Sequence, residues 1–431
     1  MPTVQSSLER LPVEMQWQIM TSLPDVRSLA STALTCRAYY SAFKANQDAI
    51  VKVVLINCVG SDTLPDAILV HRCLPPFHIS QITLDHLFPT TQATLFHIYV
   101  SRFLQQQLEP SERPDPSSIT WTMRDALSLS DFHLEVVSPL TQRFIQNCSN
   151  ESTPPFRLDA SLQSCPATRS EEGRIARALY RFEMFRRLFS RESILDGDEK
   201  RTWLHDCVRF FSKFAPWENS QLGCVYDFLT REMVTVDTDA SEHDIQYGVA
   251  AYRNRMRRRH KVERLLELGL KKILEVASRN AIADRVSVLQ VNEWPSEENH
   301  YFLGYILQDI NDLSPLGGFG KSLVEGRPFY NDGDIAAEVI WRWSFQRHRR
   351  INPDTTTSIY QKRHIHYRQW GRDLWDCGRL QQLGVLKLPR APAAEQEIAN
   401  VRRGTTETDV SHGVRHDIYN RRGRGYWVKD D

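Results

Sequence analysis

The sequence has no apolar run long enough to cross a bilayer: its most apolar stretch, Ile50 to Val59, is about half a span and carries Lys52. It has no net field either, with 54 Lys+Arg against 53 Asp+Glu and a formal charge of +1. A chain so balanced has no overall attraction to nucleic acid or anionic membrane, so any such preference must be local. None of its eight cysteines forms a C-x-x-C pair, which argues against a zinc module and a disulfide framework and for free, mostly buried thiols. No repeat of 20–50 residues runs through it, so a solenoid or a propeller is not expected. Also missing are a G-x-S-x-G elbow, an H-E-x-x-H pair and a dinucleotide fingerprint, and no cofactor is expected. With no apolar leader ahead of Leu8, the expectation is a soluble protein of the cytoplasm or nucleus, with no membrane partner.

What is present is ordinary in bulk and specific at one end. Hydrophobic residues make up 41% and charged residues 25% of 431 positions, enough for a large core. The specific part is Leu8 to Phe43, which carries three short helical patterns. Pro12 suits a helix start, where its missing N–H is not needed. Met15, Ile19, Met20 and Leu23 then recur at three- and four-residue spacing, predicting one apolar face. Pro24 ends that pattern and Asp25 is the expected cap of the next helix. Leu29, Ala33 and Leu34, then Tyr40 and Phe43, extend the face. Some forty residues cannot bury enough apolar surface to offset their ordering entropy. Such a head must pack on its own chain or dock on a partner.

The spacing Leu8, Leu11-Pro12-x-Glu14, Ile19, Leu23-Pro24, Leu29, Leu34, Cys36-Arg37 and Tyr40 resembles an F-box. Gln16 and Trp17 depart from the family's pattern. The resemblance implies a head that docks on a Skp-type adaptor and, through it, on a cullin, in a ubiquitin ligase. It also implies that Leu11, Pro12, Ile19, Met20, Leu23, Leu29 and Leu34 make or shape the adaptor contact. The protein would then be a non-catalytic subunit that recruits an unknown protein substrate.

Beyond the head the pattern is helical. A mainly α fold is expected: the head over 1–46, a large non-repetitive helical body over 47–390, and a polar, disordered tail over 391–431. Loops fall near 109–118, 149–172 and 314–327, where Pro, Ser or Gly cluster. The strongest amphipathic stretch is Gly173 to Phe189, with Ile175, Leu179, Phe182, Phe185 and Leu188 at helical spacing. Its LYRFE core, the APWENSQL run from Ala215 and the WGRDLWDCGRL run from Trp370 resemble later regions of large single-F-box proteins common in filamentous fungi. Their aromatic stripes read as core, with no chemistry attached.

Three weaker constellations complete the reading. Ser314 to Ser322 looks like a phosphate loop, but Pro315 stands where a glycine is required and a helical pattern precedes it. His364 and His366 lack further ligands and sit among arginines, which reads as structural. Arg253 to Arg264 holds seven Lys/Arg and one Glu, a local +6. Arg253, Arg255, Arg257, Arg258, Arg259 and Lys261 could meet an anionic partner: an acidic or phosphorylated protein, or the phosphates of a nucleic acid. The competing reading is a solvated face. Nucleic acid is not the expected partner, but a helical scaffold using this basic helix is the alternative to the ligase subunit.

Overall fold

A computed structural model describes residues 10–73, 92–108, 115–150, 166–190, 197–253, 258–279, 282–291, 303–309, 337–341, 343, 368, 370–384, 386 and 413–425. Of these, 82% are helical and none lies in a strand, so the chain is mainly α. It divides into two compact units. The first takes Met1–Arg143, Thr168–Leu188 and Pro328–Gly333; the second takes Phe144–Ala167, Phe189–Arg327 and Asp334–Asp431.

The first unit opens with α1 (Val13–Thr21), α2 (Val26–Ala33) and α3 (Arg37–Ala45), the three helices of the head. α4 (Gln47–Val59) and α5 (Leu64–Arg72) follow, bent by 108°. Gly60 makes that bend possible with φ +93°, a backbone state open to glycine. α4 is apolar nearly all round and is therefore a core helix: Ile50, Val51, Val54 and Leu55 are fully buried. No single described helix is long and apolar enough to cross a membrane.

α6 (Gln92–Gln106) and α7 (Met123–Phe132) come next, and α7 runs into a π-turn at His133–Val137 before α8 (Ser138–Asn150). α9 (Arg169–Phe189) starts inside the stretch read as a loop to 172: Glu171 reaches back to accept from the Thr168 amide at 2.9 Å, and the Thr168 hydroxyl accepts from the Glu171 amide at 3.2 Å. That reciprocal capping box overrides the small polar residues around it. α9 is buried on more than its apolar stripe. Arg181 pairs with Asp66 at 3.4 Å, with both side chains 1% exposed, and Arg187 donates to Val70 O at 2.9 Å. On α6, Ile98 is exposed and Phe103 is buried.

The second unit is built on α11 (Pro216–His243), a 28-residue helix that follows α10 (Gly197–Ser212). α12 (Ile245–Arg253), α13 (Arg258–Glu267), α14 (Leu270–Ala277), α15 (Ile282–Val291) and α16 (Leu303–Asp309) all pack on it. Gly269, at φ +88°, separates α13 from α14. The two aromatic motifs meet on this spine. Ser220 Oγ donates to Asp373 Oδ2 at 2.7 Å, Gln221 Nε2 donates to Asp373 O at 3.1 Å, and Arg368 Nε donates to Asp227 Oδ2 at 2.7 Å. Gly371, at φ +74°, lies so close to Phe144 that a Cβ would come within 2.8 Å of its ring. All of these side chains are buried, and the bonds between them stand in place of bonds to water.

The tail is a correction in part. Residues 413–420 form a helix whose Arg415 is buried, so this piece of 391–431 is ordered. The sequence signal was weak because the buried anchor is a charged residue. Residues 109–114, 151–165 and 314–327, His364, His366 and residues 391–412 and 426–431 lie outside the described residues.

Candidate functional site

The head is anchored on its own chain. α1 and α2 both pack on α4, and α2 also packs on α7. Met20, Val26 and Leu29 are fully buried there, each contributing about 1.5–3 kcal/mol by leaving water. α2 buries Val26, Leu29 and Ala33, the i, i+3, i+7 stripe of a one-sided helix. Asp25 caps it as expected, accepting from the Ser28 amide at 2.8 Å and the Ser28 hydroxyl at 2.9 Å.

Polar groups fix the orientation. Asn57 Nδ2 of α4 donates to Thr21 O at 2.8 Å and Leu23 O at 3.2 Å, occupying carbonyls at the end of α1. The two departures from the family pattern have structural jobs. Gln16 is buried and donates from Nε2 to Leu11 O at 3.0 Å, holding the entry strand to the helix. Trp17 Nε1 donates to Ala42 O at 2.8 Å, tying α1 to α3. Arg27 on α2 reaches Asp131 at 2.7 Å and also pairs with Glu135 on the π-turn. Those two carboxylates hold the guanidinium firmly charged. Inside the unit, His133 Nδ1 lies 3.0 Å from Tyr180 OH, and burial pushes the imidazole down to about 4.

The expected adaptor residues therefore split by exposure. Met20 and Leu29 are interior and can only shape the head. Leu11, Ile19 and Leu23 are half-buried. Pro12 is exposed at the N-cap of α1, its carbonyl accepting from Met15 N at 3.0 Å and Gln16 N at 3.1 Å. Leu34, at the C-cap of α2, is 75% exposed. The single apolar face read along α1 is two faces. Gln16 and Met20 point inward, while Met15 and Ile19, also four residues apart, share a neighbouring flank. Met15 (44%) and Tyr40 (45%), both expected on the single apolar face, are turned out, and Val13 joins them. An amphipathic count registers apolar spacing but not which flank the chain itself covers.

The basic segment is described in part. Arg253 closes α12, and Arg258, Arg259 and Lys261 lie on α13, while Arg255 and Arg257 lie outside the described residues. The acid within the run, Glu263, is buried; it accepts from Tyr226 OH and from Gly304 N at 3.4 Å. That side of α13 is core. Among the described residues no group of three or more His, Cys, Asp or Glu is placed to hold a metal ion. Cys73, Cys148, Cys207 and Cys224 are buried, and burial raises the Cys148 thiol to about 12, far from a reactive thiolate. On the head, Pro12, Met15 and Leu34 are outward on helices whose other sides are pinned. No family model, curated protein or solved structure matches this chain.

Proposed function

We propose that this protein is a substrate-recruiting subunit of a Skp–cullin–F-box ubiquitin ligase. The head docks on a Skp-type adaptor and thereby on a cullin, and the helical body holds a protein target. The observation that carries this reading is the Leu11-Pro12-x-Glu14 start leading into three short helices that leave Pro12, Met15 and Leu34 uncovered. Leu34, 75% exposed on the head, is available to a partner without rearrangement of the core. Such a subunit makes no bonds itself. It raises the concentration of the target's lysines near the ubiquitin-charged enzyme, a proximity effect.

The test is capture of a Skp-type adaptor by the purified chain. Leu11→Ala with Pro12→Ala, and separately Leu34→Glu, should each abolish capture. The exposed Leu34→Glu change should move stability by no more than about 0.5 kcal/mol. Full capture by both variants overturns the reading. Loss of capture together with loss of helical circular dichroism would count against Leu34 as a surface contact.

A further inference from the structure

The joint between α11 and α12 is finished by residues from the far end of the chain. α11 ends at His243, and its last carbonyls have no partners further along the helix. Glu242 O accepts from Arg415 Nη1 at 3.3 Å. On the other side of the joint, the first amide of α12, Ile245 N, donates to Gly425 O at 3.0 Å, while Asp244 Oδ1 accepts from Tyr247 N at 2.7 Å. Gly248 leaves the space for this arrangement: a Cβ there would lie 3.0 Å from Arg415 Nε and 2.2 Å from Ser241 O. The Arg415 guanidinium is almost wholly buried and adds positive charge at the negative end of a 28-residue helix dipole.

The segment that reaches across is itself well formed. Residues 413–420 are helical and close with Gly423 N donating to Ile418 O at 2.8 Å and Arg422 N to Tyr419 O at 2.9 Å, the paired bonds of a Schellman ending. Arg424 sits over the Tyr419 ring at 4.1 Å. The Arg415 side chain and the Gly425 carbonyl of this piece both reach the joint.

We propose that residues 413–425 are an intramolecular latch that completes the caps at the α11–α12 joint and keeps α12 ordered. α12 leads directly into the Arg253–Lys261 basic run, so the latch sets how that run is presented.

Hydrogen exchange and limited trypsin digestion of the full chain test this against two variants, Arg415→Met and a chain ending at His412. Amides of Ile245–Arg253 should exchange about tenfold faster or more in both variants. Those of Leu270–Ala277 should keep their protection, and the first tryptic cut should move to the run between Arg253 and Lys261. Unchanged exchange over Ile245–Arg253 in either variant overturns the latch. Equal acceleration in Ile245–Arg253 and Leu270–Ala277 also overturns it, because Arg415 would then be a strut of the whole unit.

Discussion

Leu29 and Leu34 sit five residues apart in the head and do opposite work: one is wholly inside, the other three-quarters outside. Asp25 was legible in the sequence because capping is local chemistry, decided by one carboxylate and the amide three residues on. The α2 stripe was legible for the same reason. Met15 and Tyr40 were not, because their placement depends on where α4 and α3 lie. Gln16 was not either: a polar residue is admitted to the core only because Leu11 O is within reach of its amide. His133 is a third kind of case, a titratable group whose state follows from burial. Its imidazole drops from an ordinary 6.5 to about 4, so the folded protein holds it neutral while the unfolded chain binds a proton below pH 6.5. Its contribution is complete above pH 6.5 and is lost as pH falls toward 4, about 3 kcal/mol in all. Urea unfolding at several pH values should show a shallower acid loss between pH 6.5 and 4 in His133→Asn than in the parent chain. Identical slopes would mean that His133 is protonated in the fold.

Elements were read better than their ends. The helices of the head, of Gly173–Phe189 and of the segment after Pro216 were all visible as periodic patterns. The π-turn at His133–Val137 left no trace in the pattern, since one extra residue per turn shifts the apolar register without breaking it. The aromatic motifs of α11 and of the 370–380 stretch could be recognised but not explained until they met. Their common ground is a buried charged network, and such networks are costly to break on one side only. Asp227→Ala removes a carboxylate from Arg368, whose side chain is 3% exposed, and should cost about 3–5 kcal/mol in denaturant unfolding. Asp227→Leu with Arg368→Met should recover most of that loss. If the single substitution costs under about 1 kcal/mol, Arg368 does not depend on this carboxylate.

At the scale of the molecule, the expected mainly α architecture is what the chain adopts, but contact grouping follows space more than sequence order. The first unit needs α9, which arrives only after the chain has left it at Arg143. α9 supplies the hydroxyl opposite His133, the guanidinium opposite Asp66 and the apolar Ile175 and Leu179. A fragment of residues 1–143 should therefore lack a cooperative thermal transition by circular dichroism, whereas residues 1–188 should melt cooperatively. A sharp melt of the shorter fragment at the same temperature would show that α9 is an accessory to a core complete without it. Sequence showed the helix of Gly173–Phe189 but not this discontinuity, because periodicity marks an apolar face without saying which earlier helices it covers.

The late arrival of α9 has a consequence on the ribosome. The head is made first, yet Asp66 must wait for Arg181 until everything up to Leu188 has emerged. At synthesis rates of about 5–20 residues per second, the interval from Phe144 to Leu188 lasts a few seconds. For that time Asp66 lacks the guanidinium that faces it and Val70 O lacks its donor, Arg187. The nascent chain presents the outward side chains of Pro12, Met15 and Leu34 before the structure behind them is finished, and a chaperone has its best access then.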